Sequence, residues 1–272
     1  VILFPNCKIN LGLHILRKRE DGFHDLETVF YPITLQDALE VIHGETTTDV
    51  QFSSSGVTLD IEAADNICVK AYHLLKKDFP ELPPVKMHLH KNIPSGAGLG
   101  GGSADGAFTL LLLNKKFQLQ LSEQQLIAYA LQLGSDCPFF IKNKPCYGTG
   151  RGENLEAIDL DLSGYQFIIV NPGIHINTGW AFKQLCPFTD RPSLRELIQQ
   201  PVPIWRDRLV NDFEAPIFQQ HSEIALIKEQ LYLAGATYAA MSGSGSTVFG
   251  LFENAITPKL SFPEDYFVKW IN

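Results

Sequence analysis

No Cys-x-x-Cys spacing occurs among the five cysteines, Cys7, Cys68, Cys137, Cys146 and Cys186. Their number is odd, so neither a disulfide framework nor a zinc site is indicated, and a reducing cytoplasm is the expected setting. No apolar stretch approaches the length that crosses a bilayer. The opening residues Val1-Ile2-Leu3-Phe4-Pro5-Asn6 are too short for a signal h-region. The first residue is not methionine, so a trimmed N-terminus is expected. No basic stripe is present and the net charge is −8, which argues against a nucleic-acid partner. An acidic chain that binds phosphates must gather positive potential locally, from a few Lys or Arg and from backbone amides. Neither repeats nor low-complexity tracts occur.

What is present is a large apolar fraction, 45% of 272 residues, enough for one large or two modest domains. One stretch organises the chain: Pro94-Ser95-Gly96-Ala97-Gly98-Leu99-Gly100-Gly101-Gly102-Ser103-Ala104-Asp105-Gly106. The alternating segment Val85 to His90 precedes it and the apolar run Ala107 to Leu113 follows, so the order is strand, glycine loop, helix. Glycine allows close backbone approach and positive φ. A helix N-terminus aims free N–H groups at an anion. The stretch reads as a phosphate cradle. It is not a Walker A loop, since Gly102-Ser103-Ala104 lacks the lysine. Its position near residue 100 also suits a dinucleotide fingerprint poorly. The plain alternative is a flexible loop capping a core helix.

Lys8 to Leu16 alternates, with Ile9, Leu11, Leu13 and Ile15 on one face and Lys8, Asn10, Gly12 and His14 on the other. This predicts a half-buried strand whose polar face is solvated. Asp21-Gly22 signals a hairpin turn. Further strands are expected over 28–35, 38–43 and 57–61. Asp65 is expected to cap a helix over about 66–77. Ser122-Glu123-Gln124-Gln125 is a capping box opening a helix to Leu133, with Gly134 at its C′ position. Asp136 reads as the cap of a short element, 138–141. Residues 145–152 read as turn-rich. Strand 165–170 follows, then a helix capped by Asn177 or Thr178, a capping box at Ser193 to Glu196, a helical stretch from Asn211 and a helix over 222–233 closed by Gly235. Strands 237–241 and 247–252 flank the loop Ser242 to Ser246, and 267–271 is a final strand. A domain boundary is expected within 153–163, giving domains 1–155 and 156–272.

Taken together, three stretches resemble the GHMP kinase superfamily: the lysine-bearing first strand, the Pro-x-x-x-Gly-Leu-Gly-Gly-Gly-Ser loop and the late loop Met241 to Gly245. Finer matches are most similar to the 4-diphosphocytidyl-2-C-methyl-D-erythritol kinase family of the non-mevalonate isoprenoid pathway. They are Pro5 to Leu11, Asp21-Gly22-Phe23-His24, Asp65-Asn66, Gly98 to Ser103, Gly134 to Phe140 and Asn211-Asp212. Each is weak alone; six in this order are specific.

The resemblance implies two α+β domains with the active site in the cleft between them. It implies ATP as co-substrate, Mg2+, and transfer of a phosphoryl group to the 2-hydroxyl of the cytidine diphosphate derivative of methylerythritol. No membrane or nucleic-acid partner is implied, and the state is monomer or homodimer. It places Asp136 as catalytic base and Lys8 as its partner, with no protein residue assigned to metal. Asn66, Lys91 and the loop Pro94, Ser95, Gly96, Ala97, Gly98, Leu99, Gly100, Gly101, Gly102 and Ser103 correspond to ATP contacts. Asn10, Phe23, His24, Thr178 and Phe182 correspond to substrate contacts, with cytosine between Phe23 and Phe182 and its edge read by His24. Phe23 stands where many members have tyrosine, and Ala104-Asp105 where Ser-Asn is frequent. Homoserine and mevalonate kinases need no cytosine clamp. A non-catalytic GHMP-fold binder would have lost Lys8 and Asp136. A dinucleotide oxidoreductase is opposed by the loop position.

Overall fold

The computed structural model describes residues 1–44, 48–59, 61–185, 191–256 and 258–271. The first part of the chain runs β1 (Ile2–Leu3), β2 (Asn6–Lys18), β3 (His24–Gln36), β4 (Ala38–His43), β5 (Val50–Gly56), α1 (Ile67–Asp78), β6 (Val85–Lys91), α2 (Gly101–Phe117), α3 (Glu123–Leu133) and α4 (Cys137–Lys142). It continues through β7 (Cys146–Gly150), β8 (Asn154–Ala157), β9 (Tyr165–Asn171), α5 (Thr178–Lys183), α6 (Leu194–Leu197), α7 (Glu214–Gln220), α8 (Ser222–Leu233), β10 (Tyr238–Met241), β11 (Val248–Glu253) and β12 (Phe267–Ile271). No helix among the described residues is long and apolar enough to cross a membrane.

Two compact units emerge, and they interleave along the chain. One comprises Val1–Cys7, Leu35–Ser95 and Gly100–Lys144; the other comprises Lys8–Thr34, Gly96–Leu99 and Pro145–Asn272. A single cut near residue 155 therefore does not describe them. The reason is strand pairing: β3 takes β7 as its antiparallel neighbour, Leu26 opposite Gly150 and Phe30 opposite Cys146, so early and late chain share a sheet.

The first unit contains a four-stranded sheet in the order β1-β4-β6-β5. β5 lies parallel to β6, with Phe52 opposite Met87. The expected strand over 57–61 is thus displaced upstream, to a serine-rich segment whose apolar content is low. Ser53 and Ser55 bond the imidazoles of His88 and His90 along that pair, each at 2.9 Å. Asn66, not Asp65, caps α1: its Oδ1 accepts the Cys68 N–H at 2.9 Å. Asp65 ends a preceding 3₁₀ turn and pairs with Lys70 at 3.1 Å. The Ser122 capping box forms as expected. Gly134 ends α3 in extended backbone, φ 169°, so no left-handed cap is used.

The second unit holds two four-stranded sheets, β2-β3-β7-β8 and β10-β11-β9-β12. Residues 145–152, expected to be turns, form β7 and lead through a short turn into β8. One apolar core joins Leu13, Ile15 and Leu26 to Ile168, Val170, Phe213, Ile217, Ile227, Leu231 and Val248. The polar face of β2 is buried too: Asn10 and His14 are 2% and 1% exposed. Cys7, Cys68, Cys137 and Cys146 are buried and form no disulfide, while Cys186 lies outside the described residues.

Burying His14 on the polar face of β2 requires a partner, and Glu27 supplies it. Its Oε1 meets His14 Nδ1 at 2.9 Å and accepts the Leu194 N–H at 3.1 Å. Its Oε2 accepts from the Tyr147 hydroxyl at 2.5 Å and from the Ser193 hydroxyl at 2.7 Å. Burial alone would raise this carboxyl, but the hydrogen bonds outweigh it and hold Glu27 at about 2. A depressed carboxyl contributes stability that is present above its unfolded value and lost as pH falls through the folded one. We expect Glu27 to account for up to about 3 kcal/mol of the stability lost between roughly pH 5 and pH 2. Urea unfolding across that range should show a smaller loss for Glu27→Gln; parallel curves would contradict the ionised, four-partner Glu27.

Candidate active site

The glycine loop leaves β6 after Lys91 and enters α2 at Gly101, six residues earlier than the apolar run had suggested. Gly96, Gly98 and Gly100 all adopt positive φ, at 67°, 78° and 68°. At Gly98 the requirement is also one of space. A Cβ there would lie 2.1 Å from the Ser242 carbonyl oxygen. The stretch Gly96–Leu99 is clasped by its own carbonyls. Ala97 O accepts the Thr247 N–H at 3.3 Å, and Leu99 O accepts the Lys8 N–H at 3.0 Å. Gly98 O accepts from the Ser242 hydroxyl at 2.8 Å and from Lys8 Nζ at 3.2 Å. With its carbonyls turned to the protein, this stretch presents N–H groups elsewhere, as an anion site requires.

Lys8 and Asn10 share a face of β2, and the structure brings them together. Lys8 Nζ donates to Asn10 Oδ1 at 2.6 Å and lies 5.4 Å from the centre of the Phe30 ring. Only 3% of Lys8 is exposed. Asn10 Nδ2 donates in turn to Thr28 Oγ1 at 2.9 Å, and the Thr28 hydroxyl donates to Gly12 O at 2.6 Å. The Asn10 amide N–H donates to Ser242 Oγ at 3.2 Å. Thr28 was not singled out from the sequence, and Ser242 only as part of the late loop Met241 to Gly245: a threonine inside a strand and a serine at a strand end carry no signal by themselves.

The motif Asn211-Asp212 proves to be a brace. Asn211 Nδ2 donates to Met241 O and Gly243 O at 2.7 and 2.8 Å, shaping the late loop. Asp212 takes the Ile15 N–H at 2.7 Å and a two-pronged Arg191 contact at 2.6 and 2.5 Å. Thr178, at the start of α5 just after the Asn177 cap, exchanges a 3.0 Å hydrogen bond with Ser244 of that loop.

Phe23 follows the Asp21-Gly22 turn and is 52% exposed, with the Arg151 guanidinium 4.8 Å from its ring centre. His24 and Phe182 stack, centres 4.8 Å apart and planes 18° apart. Of the three residues expected at the cytosine, His24 and Phe182 are thus brought face to face. Phe182 is half-buried, packs on the core of its unit and meets Phe213 edge-on at 4.9 Å. Burial, with Lys18 nearby, holds the His24 imidazole below its usual range.

In the other unit, Asn66 is buried as the α1 cap and Lys91 is 2% exposed, its ammonium paired with Asp37 and Asp105. ATP contacts were expected of both; the Asn66 side chain accepts the Cys68 N–H, and the Lys91 ammonium meets two buried carboxyl groups. Asp136 occupies the N-cap position of α4, yet its side chain makes no cap hydrogen bond. The adjoining Cys137 thiol, pushed up to about 12 by burial, is hydrogen-bonded by Ser103 in the first turn of α2. That contact places the start of α4 against the start of α2.

Two family matches frame these residues: GHMP kinases N terminal domain over 66–144 and GHMP kinases C terminal over 192–259. A 4-diphosphocytidyl-2-C-methyl-D-erythritol kinase of Bacteroides fragilis is 52% identical over 265 residues, covering 96% of each chain. The chain belongs to the GHMP kinase family. A further 4-diphosphocytidyl-2-C-methyl-D-erythritol kinase, from Chlorobium phaeobacteroides, is 40% identical over 91% of this chain and 85% of its own. Among solved structures, a 4-(cytidine 5'-diphospho)-2C-methyl-D-erythritol kinase superposes with TM-score 0.79 at 30% identity, covering 92% of this chain and 90% of that one. The mevalonate kinase of Methanococcus jannaschii shares the fold, with TM-score 0.65 at 12% identity over 93% of this chain and 90% of its own.

For this GHMP kinase, the glycines separate fold from ligand. A Cβ on Gly101 would sit 2.8 Å from Ile93 Cγ2, so Gly101→Val tests packing. A Cβ on Gly102 meets nothing within 4 Å. Gly102→Val should therefore melt like the parent while its branched side chain obstructs the helix start, raising the Kd for ATP by roughly tenfold or more. Calorimetric titration with ATP decides it: unchanged affinity in a folded Gly102→Val would exclude this helix start as a phosphate site.

Proposed function

We propose that the chain transfers the γ-phosphoryl group of ATP to the 2-hydroxyl of 4-diphosphocytidyl-2-C-methyl-D-erythritol. The observation that carries this reading is identity of 52% along 96% of both chains with a kinase of that name. The local chemistry supports it residue by residue.

Phosphoryl transfer asks for positioned phosphates, an activated hydroxyl and neutralised charge. In this reading the glycine loop and the first turn of α2 hold the ATP phosphates through N–H groups. Asp136 accepts the proton of the 2-hydroxyl, whose oxygen bonds to the γ-phosphorus as the bond to ADP breaks. Asp136 stands at the start of α4, which packs on α2, the helix that the glycine loop enters. Lys8 supplies fixed positive charge toward the transferring group, its ammonium held by Asn10 and the Gly98 carbonyl. Asn10 and Thr178 contact the methylerythritol portion.

Mg2+ belongs to the ATP complex. No group of three or more His, Cys, Asp or Glu able to hold a metal occurs among the described residues. Bound together with ATP, Mg2+ would neutralise phosphate charge, as magnesium commonly does in kinases.

Cytosine recognition is assigned to Phe23, Phe182 and His24. A neutral His24 offers one donor and one acceptor, the pair a pyrimidine edge needs. Phe23 is the cleaner probe, because Phe182 also packs on the core. Phe23→Ala should keep its melting temperature and raise KM for the cytidine substrate roughly 5- to 150-fold, from ~1–3 kcal/mol of lost stacking. Wild-type KM in that variant would remove Phe23 from the clamp.

Coupled ADP release with 4-diphosphocytidyl-methylerythritol, homoserine and mevalonate offered separately tests the function itself. Turnover of only the first is expected; preference for either other substrate overturns the reading. Asp136→Asn should bind ATP normally and lose ~10²–10⁴-fold in kcat, the scale of a missing general base. Wild-type kcat with chemistry rate-limiting would exclude Asp136.

A further inference from the structure

Lys91 stands at the end of β6, just before the glycine loop, and Asp105 stands in α2 just after it. A second carboxylate, Asp37, comes from the link joining β3 to β4. Lys91 Nζ pairs with Asp37 Oδ2 and donates to Asp105 Oδ2 at 2.8 Å. Asp37 Oδ1 accepts the backbone N–H groups of Asn92 and Ile93 at 2.6 and 2.9 Å. All three charged side chains are buried. The packing beside them is equally tight: a Cβ on Gly101 would lie 2.8 Å from Ile93 Cγ2 and 3.3 Å from Lys91 Nζ.

These contacts join the two ends of the loop to each other. Asp37 fixes the backbone on the strand side; Lys91 bridges from Asp37 to the helix side. Three buried charges are costly to desolvate, and apolar residues of similar volume would hold the fold as well. What apolar residues would not supply is the directed pairing that sets the gap between 91–93 and 101–105. We propose that the Asp37–Lys91–Asp105 cluster is a positioning device for the phosphate loop, and that Lys91 serves ATP affinity through loop geometry rather than by touching the nucleotide. The proposal rests on the reading of the glycine loop as the ATP cradle.

A second feature gives the cluster a signature. Asp105 Oδ1 is buried with no hydrogen-bond partner. Burial pushes the Asp105 carboxyl up, to about 7; Lys91 opposes the rise and Asp37 adds to it. The titratable groups facing it are Lys91 on β6, Asp37 on the β3–β4 link and Cys68 on α1, whose thiol is itself pushed up by burial and by Asp105. Below neutrality, a protonated Asp105 leaves Lys91 balanced by Asp37. Above it, a negative charge is added in the first turns of α2, the helix that follows the phosphate loop, so nucleotide binding should weaken as pH rises through about 7.

Titration calorimetry with MgADP on the full-length enzyme tests this, beside KM and kcat. Asp105→Ala should raise the ADP Kd and the ATP KM roughly 10- to 100-fold, the scale of a mispositioned binding group. It should leave kcat at saturating ATP and the cytidine-substrate KM nearly unchanged. Asp105→Asn keeps an oxygen for Lys91 and should rescue affinity, while losing the wild-type weakening between about pH 6 and pH 8. Should Asp105→Ala not fold, the pH comparison of Asp105→Asn with wild type still decides: superimposable profiles overturn the proposal. Gly102→Val separates the two levels. If it blocks ADP and Asp105→Ala binds ADP like wild type, the cradle stands and the positioning role is wrong. If neither affects binding, both fall.

Discussion

The approach of Gly98 to Ser242 is the constraint on which the rest of its unit depends. No side chain fits there, since a Cβ would fall 2.1 Å from the Ser242 carbonyl oxygen. That proximity lets the Ser242 hydroxyl donate to Gly98 O while accepting the Asn10 N–H. Asn10 is thereby fixed on the face it shares with Lys8, and Lys8 reaches the same Gly98 carbonyl. Asn211 holds the far side of the late loop, and the Thr178 hydroxyl bonds to it through Ser244. A backbone-to-backbone clasp thus orders a lysine, an amide and a hydroxyl drawn from widely separated parts of the sequence.

Both units bury charge, and each does so differently. Glu27 is satisfied by four donors and stays ionised far below the usual carboxylate range. The Lys91 cluster has two carboxyl groups for one ammonium, and one oxygen of Asp105 goes without a partner. The first arrangement stabilises at neutral pH and the second stores a titration near it. Buried polar groups that are fully paired fix a unique packing; those left partly unpaired tend to mark places where function sets the terms.

Much of the local structure was legible in the residues. The strands Ala38–His43 and Phe267–Ile271 and the helices Glu123–Leu133 and Ser222–Leu233 coincide with their expected bounds, because alternation, helical spacing and capping are local signals. β5 was not legible: Ser53, Ser54 and Ser55 look like loop, and only pairing beside β6 makes them a strand. β7 was hidden for the same reason, since Gly148 and Gly150 gain strand character from their antiparallel partner β3. Asp65 and Asn66 are both good caps, and the choice between them was made by the 3₁₀ turn that precedes α1.

The residues alone determined the types of those elements that carry local periodicity and caps, the glycine loop before a helix, and the family, which order and spacing of motifs carry. Tertiary structure decided what each side chain is committed to. Lys8 and Lys91 are both lysines near the loop in resemblance and in chemistry. One is held by Asn10 and a loop carbonyl, and the other is enclosed between Asp37 and Asp105. Asn66 became a buried cap, and Phe182 became half core and half stacking surface. Periodicity and capping act over a few residues and so are written in the chain. Desolvation and the partner a charge finds depend on segments that meet only when the chain has folded.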